Sequence, residues 1–264
     1  MIVGVETMHI AGARGTVAAF VLLGGVIGSG PQAGAAQPDD PVRLGDDLEV
    51  RLLRPGHWIH VSKDGRGIPA NGMIVRTPRG LLLVDTGWTE GQTDRLVAWG
   101  ERALGAFFVE AIVTHSHGDR TGGVPALTRR GIPVRALDLT IEKLRGGVER
   151  VPKVLLTAAA PTHADPLGFE AFFPGAGHAA DNIVVWFPGA RILFGGCLVR
   201  SEGAKDLGHV ADADLDSWPR AVQAVLDRYP GAALVIPGHG AVGGRAALTH
   251  TLDLLRTRPP SPTP

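Results

Sequence analysis

The apolar run Ala111-Ile112-Val113 leads into His115-Ser116-His117-Gly118-Asp119-Arg120, and the glycine pair Gly122-Gly123 follows. Such a run reads as the end of a buried strand, and the glycines mark the loop after it. Whatever fold the chain adopts must therefore carry three polar side chains together at a strand end. In locally extended backbone alternate side chains share a side, so His115, His117 and Asp119 converge while Ser116 and Gly118 face elsewhere. Two imidazoles and a carboxylate at this spacing suit a borderline-soft divalent cation, zinc first. Taken alone, the segment also reads as a polar turn whose histidines satisfy backbone groups.

The chain has 264 residues, 44% of them apolar, and no formal net charge, so it can bury one large core or two small ones. It has no basic excess with which to capture a nucleic acid. Its 37 glycines and 20 prolines are scattered among apolar segments, which implies many tight turns around a packed core and no low-complexity block. The amino end reads differently. Arg14, and His9 before it, precede an apolar run from Val17 to Ile27, and Ala33-Gly34-Ala35 supplies a small-residue cleavage site. We read 1–35 as a signal peptide, 36–258 as the folded domain and 259–264 as a disordered tail. Glu6 is awkward in such a leader, and initiation at Met8 would remove it. The apolar run is too short for a permanent anchor, so the expected location is periplasmic or secreted, with no stable membrane insertion. Cys197 is the one cysteine. In an exported chain it reads as a buried small apolar residue, an intermolecular bridge or a metal ligand.

Leu48 to Leu53, Trp58 to Val61, Met73 to Thr77 and Gly80 to Val84 read as an antiparallel meander, separated by glycine-bearing turns. Leu81-Leu82-Leu83-Val84 is apolar on both faces, so this strand is central and covered on both sides. It delivers Asp85 to its tip, where a buried acid needs a partner, and Arg120 is the candidate. Thr89 to Leu104, Val124 to Arg130 and Leu139 to Leu144 read as helices, with Pro133 to Ala136 a strand among them. Val148 to Asp165 reads as a loose connection. Phe169 to Phe173, Ile183 to Phe187, Arg191 to Phe194 and Ala233 to Ile236 return to strand character. Helices from Pro219 to Tyr229, capped by Asp214 or Asp216, and from Arg245 to Leu255 complete the pattern. Two strand-rich halves with helices outside make an α/β chain folded as a four-layer αβ/βα sandwich.

Three further ligand-type residues follow small residues at strand ends: His178, Cys197 and His239. Singly, the histidines also read as hydrogen-bonded structural groups and the cysteine as core packing. Together with the first segment they make a constellation. His115-Ser116-His117-Gly118-Asp119-Arg120, Gly177-His178-Ala179-Ala180-Asp181-Asn182, Gly195-Gly196-Cys197-Leu198-Val199-Arg200-Ser201 and Pro237-Gly238-His239-Gly240 resemble the metallo-β-lactamases whose second metal has a cysteine ligand. The resemblance runs from about Leu48 to His250.

The resemblance implies two Zn2+ per chain, one held by His115, His117 and His178, the other by Asp119, Cys197 and His239. Arg120 stands where the wider superfamily usually has a further histidine ligand, and together with Cys197 this points toward β-lactams. The implied reaction is attack of a zinc-bound hydroxide, oriented by Asp119, on the lactam carbonyl, conferring antibiotic resistance. Arg200 occupies the place of a cation that grips the substrate carboxylate. His209 stands where the family commonly has an asparagine, and either bonds the lactam carbonyl or faces solvent. Asp85 and Arg120 are expected behind the metal ligands. The turn Ser62 to Pro69 matches a substrate-covering loop but is short and polar, without an apolar tip. Lys205 reads as a solvated charge; His57, His60, His163 and His250 match no ligand position. The reading is completed by a monomer acting on a small β-lactam. Its alternative is a dizinc hydrolase of a lactone, thioester or other ester, favoured by the unusual His209 and the polar turn.

Overall fold

In the computed structural model, residues 40–145 and 152–257 are described; the leader and tail expected at 1–35 and 259–264 lie outside them. The first half forms β1 (Val42–Arg43), β2 (Leu48–Arg54), β3 (His57–Lys63), β4 (Pro69–Thr77) and β5 (Gly80–Val84). It continues with α1 (Glu90–Leu104), β6 (Phe108–Ile112), α2 (Gly118–Thr121), α3 (Val124–Arg129), β7 (Val134–Leu137), α4 (Asp138–Leu144) and β8 (Lys153–Leu156). The second half contributes β9 (Thr162–Asp165), β10 (Phe169–Phe172), β11 (Val184–Phe187), β12 (Ile192–Gly196), α5 (Trp218–Arg228), β13 (Leu234–Pro237) and α6 (Ala246–Thr257). Strands β1 to β8 lie in chain order in one sheet, and β13-β12-β11-β10-β9 form the other.

The central strand shows how the layers arise. Side chains alternate across a strand, so Leu82 and Val84 face one way and Leu81 and Leu83 the other, and all four are fully buried. Leu82 and Val84 meet Ile112, Val185, Phe194 and Ile236 between the sheets. Leu81 and Leu83 meet Leu96 of α1, Leu127 of α3 and Ile141 of α4 outside the first sheet. On the far side, Val184, Leu193 and Val235 of the second sheet pack against Trp218 and Val222 of α5 and Leu248 of α6. The result is the αβ/βα sandwich. Each buried aliphatic chain of this size stabilises by about 1.5–3 kcal/mol.

Helix α1 starts where the sequence says it should: Thr89 accepts the N–H of Gln92, whose side chain in turn accepts the N–H of Thr89. Gly105 ends it with φ 63°, a left-handed conformation glycine adopts without strain. Two expectations need correcting. Residues 153–165 are not a loose connection, because β8 joins the first sheet beside β7 and β9 joins the second beside β10. Both are edge strands of mixed polarity, so their pairing comes from neighbours rather than from a local apolar pattern. At α5 the cap expected from Asp214 lies a step earlier: its Oδ1 accepts the N–H groups of Asp216 and Ser217, and its carbonyl accepts that of Trp218. Among the described residues no helix is long and apolar enough to cross a membrane.

Candidate metal centre

Strands β5 and β6 run parallel in one sheet, and β12 and β13 run parallel in the other. The loops leaving these strands meet at one edge of the sandwich. His115 and His117 follow β6, Asp119 and Arg120 lie on α2, Cys197 follows β12, His239 follows β13, and His178 comes from the loop between β10 and β11. The expectation of extended backbone through the first segment is corrected here. His117 is extended at φ −68° and ψ 154°, but Gly118–Thr121 closes one helical turn, with Gly122 N–H donating to Gly118 O at 2.8 Å. The helical turn still brings Asp119 toward the histidines.

The three imidazoles pack edge to face, with ring centroids 4.6 Å apart for His115 and His117 and 5.1 Å for each of these with His178. His178 Nε2 lies 3.3 Å from His117 Nδ1. Candidate donor atoms lie within 4.8 Å of one another in three sets: His115, His117 and Asp119; Asp119, Cys197 and His239; and His115, His178 and Cys197. His239 Nε2 is 3.1 Å, and Cys197 Sγ 3.6 Å, from Asp119 Oδ2. Cys197 thus faces the cluster and not the apolar core. Both ring nitrogens of His115, and Nδ1 of His178, are buried without a hydrogen-bond partner among the described residues. Buried polar atoms seldom go unpaired, and a cation supplies the missing partner for such nitrogens. Imidazole, carboxylate and thiolate together are the donor set zinc prefers, so the residues present fit that metal.

Arg120 organises the floor. Fully buried, it donates from Nη1 to Asn71 O at 2.5 Å and to Asp85 Oδ2 at 3.2 Å. From Nη2 it donates to Asp119 Oδ2 at 2.7 Å, Gly238 O at 2.9 Å and Cys197 Sγ at 3.2 Å. A Cβ at Gly238 would stand 2.5 Å from Cys197 Sγ and 2.9 Å from Arg120 Nη2, so only glycine fits between them. Burial works to raise the Asp119 carboxyl, but the Arg120 guanidinium and His239 overcome it and hold it far below the usual carboxylate range. Burial and the neighbouring His117 push His178 down to about 3, and burial with His178 pushes His115 well down too. Both are therefore neutral imidazoles at neutral pH, the form that binds metal. Burial raises the Cys197 thiol against the pull of Arg120. A metal reverses that balance, because a coordinating thiol is deprotonated.

Asp85 pairs with Arg120 as expected, and it also accepts Thr114 N–H at 2.7 Å and Thr114 Oγ1–H at 2.8 Å. Burial, opposed by Arg120, lifts its carboxyl to about 6.

Above this floor opens a cleft of about 660 Å³ whose lining includes His117, Asp119, His178, Arg200, His209 and His239. Arg200 is largely covered; its Nε donates to Asp206 O at 3.1 Å. The His209 side chain is 65% exposed, with its ring 5.7 Å from that of His117. Ile68, at the end of the polar turn beside Pro69, is exposed and lines the cleft. His60 is buried, its Nε2 3.1 Å from Asp85 O, while His57, His163 and His250 pair with Pro55 O, Asp165 and Ala204 O away from the cluster.

Three residues escaped the sequence reading. Asp212 Oδ2 lies 3.0 Å from His117 Nε2, Asp181 Oδ2 accepts the N–H of Ser116 at 2.8 Å, and Asn71 Nδ2 donates to Pro237 O and Gly240 O, each at 2.8 Å. Asp181 and Asp212 stand in the same short segments as His178 and His209, which was a usable signal; Asn71 had none.

Donors of these kinds gathered at the strand ends of an αβ/βα sandwich define a metallo-hydrolase centre. A family model described as the metallo-beta-lactamase superfamily matches residues 65–239, and the chain belongs to that superfamily. The type 2 metallo-beta-lactamase of Bacillus cereus is 40% identical over 212 residues, covering 79% of this chain and 83% of that protein. The type 2 enzyme of Bacteroides fragilis is 35% identical over 225 residues, covering 84% and 90%. The solved metallo-beta-lactamase from Pontibacter korlensis superposes with a TM-score of 0.74 at 42% identity, covering 80% of this chain and 100% of that one.

Proposed function

We propose that this chain is a zinc-dependent β-lactamase that opens the amide bond of β-lactam antibiotics at a two-metal site and so confers resistance. The observation that carries the reading is Arg120 bonded at once to Asp119 and Cys197, which keeps a carboxylate and a sulfur side by side without a further histidine. His115, His117 and His178 would hold one Zn2+, and Asp119, Cys197 and His239 the other. When bound, zinc supplies Lewis acidity, polarising a carbonyl and bringing the pKa of a coordinated water to about 7.

The chain's own residues do the rest. Asp119, ionised by its pairing with Arg120, accepts a hydrogen bond from the attacking water and fixes its direction. Arg200 takes the substrate carboxylate, which a guanidinium binds in a fork. His209, exposed beside His117, offers a ring N–H to the lactam carbonyl oxygen. Residues 1–35 direct export and 36–258 form the catalytic domain, so the enzyme acts in the periplasm or outside the cell; we take it to act as a monomer.

The purified mature protein should open a chromogenic cephalosporin, lose the activity to a chelator and regain it with zinc, and Cys197→Ser should lower it sharply. A metal-loaded protein inert toward penicillins, cephalosporins and carbapenems, yet active on a lactone or thioester, would overturn the reading.

A further inference from the structure

Arg66 also lines the cleft, and the structure gives it an unusual setting. It lies in the short connection 64–68 between β3 and β4. One carboxylate holds that connection closed: Asp64 Oδ1 accepts the N–H of Arg66 at 2.9 Å and of Ile68 at 2.8 Å, and Oδ2 accepts Arg66 Nε at 3.0 Å. Backbone bonds from Asp64 N–H to Ile68 O at 3.1 Å and from Gly67 N–H to Asp64 O at 2.9 Å complete the turn. At its base, Pro69 O lies 2.6 Å from His239 Nδ1, which ties the turn to the metal centre. The loop is therefore braced, and its cation is presented from a fixed position.

The Asp64 side chain is 13% exposed and that of Arg66 76% exposed. With Nε occupied, the two terminal nitrogens of Arg66 have no partner among the described residues and form an open two-donor edge. Such an edge matches the paired oxygens of a carboxylate. The cleft thus has two guanidinium groups, Arg200 from the second sheet's loops and Arg66 from the first's. Among its lining residues the one carboxylate is Asp119, and its Oδ2 is already engaged with Arg120 and His239. A β-lactam with a single carboxylate beside its ring occupies one cation and leaves the other free.

We propose that Arg66 forms a second anion subsite, and that the enzyme favours β-lactams bearing an additional carboxylate on the acylamino side chain. The inference rests on the β-lactamase reading and deepens it. The probe is a matched pair, benzylpenicillin and carbenicillin, which differ by one carboxylate on the acyl side chain. The readout is the ratio of kcat/KM for carbenicillin to that for benzylpenicillin, in which any loss of folded enzyme divides out. An exposed ion pair is modest, so Arg66→Gln should lower the ratio by about three- to fivefold. Arg66→Lys should retain part of it, and added salt should lower the ratio more in the native enzyme than in Arg66→Gln, which keeps only the attraction of the cleft's other cations. Hydrolysis of both penicillins with the same ratio in the native and Arg66→Gln proteins overturns the subsite alone. Hydrolysis of neither penicillin by a native enzyme that still opens a cephalosporin or a carbapenem also overturns the subsite alone, whereas a native enzyme inert toward all three β-lactam classes removes the β-lactamase reading, and the subsite with it.

Discussion

Asp181 Oδ2 accepts the backbone N–H of Ser116 at 2.8 Å, so one buried carboxylate ties the loop carrying His178 to the loop carrying His115 and His117. Its Oδ1 pairs with Lys143 Nζ at 3.0 Å, and its backbone carbonyl faces Thr140 Oγ1 at 3.4 Å, both on α4. The carboxylate thus fixes the two loops that carry the three imidazoles against a helix. Supporting residues of this kind commonly change metal affinity by about 10- to 100-fold. Asp181→Ala should weaken zinc binding within that range. Asp181→Asn should do less, since its amide oxygen still accepts the Ser116 N–H. Zinc titration against a competing chelator checks both, and unchanged affinity in Asp181→Ala would remove the loop-tying role.

Far from the cleft, Glu170 on β10 makes a testable contribution to acid stability. It accepts Tyr229 Oη–H at 2.6 Å and Arg228 Nε–H at 2.8 Å. Burial alone would raise its carboxyl, but the two donors outweigh burial and hold it below the ordinary value. A group depressed in the folded state adds stability above its unfolded pKa, about 4.3, and loses it as pH falls through the lower folded value. Glu170→Gln should therefore be less stable than the native protein at pH 6 to 7, and the difference should narrow below about pH 4. Urea midpoints across pH 3 to 7 measure this; a constant gap would show that packing, not ionisation, is responsible.

Much of this was legible in the sequence, for physical reasons that differ between segments. Leu81 to Val84 declared itself because a strand covered on both faces must be apolar at every position. Thr89 to Leu104 announced α1 through apolar residues at helical spacing, and the structure adds the reciprocal cap of Thr89 and Gln92 at its start. His178, Cys197 and His239 stood out because each follows a glycine or another small residue at a strand end, where a close approach needs one. The helical turn of α2 was hidden because Gly118 and Asp119 are poor helix formers and the turn is a single one, held by its surroundings. Asn71 was hidden because its partner Pro237 lies 166 residues away, and no spacing can show a bond of that kind.

Asp85 has φ 60°, the left-handed region that a non-glycine residue rarely enters, and it stands between the central strand and Arg120. Such a conformation costs about 1–3 kcal/mol and persists only where the surroundings impose it. Here its N–H donates to Ile112 O at 2.8 Å, and its carboxylate accepts from Thr114 and Arg120. Removing the carboxylate leaves the strained backbone in place and takes one counter-charge from a fully buried guanidinium. Breaking a buried ion pair from one side typically costs about 3–5 kcal/mol, so Asp85→Ala should lose about that much, less whatever Asp119 still supplies to Arg120. Asp85→Asn tolerates the left-handed region, keeps an acceptor for Thr114 and should fall between native and alanine. The same loss should disturb the metal site, because Arg120 also holds Asp119 and Cys197. Urea unfolding together with zinc titration of the two variants checks both halves. A loss under about 1 kcal/mol in Asp85→Ala, with zinc affinity unchanged, would mean that Asp119 alone sets the position of Arg120.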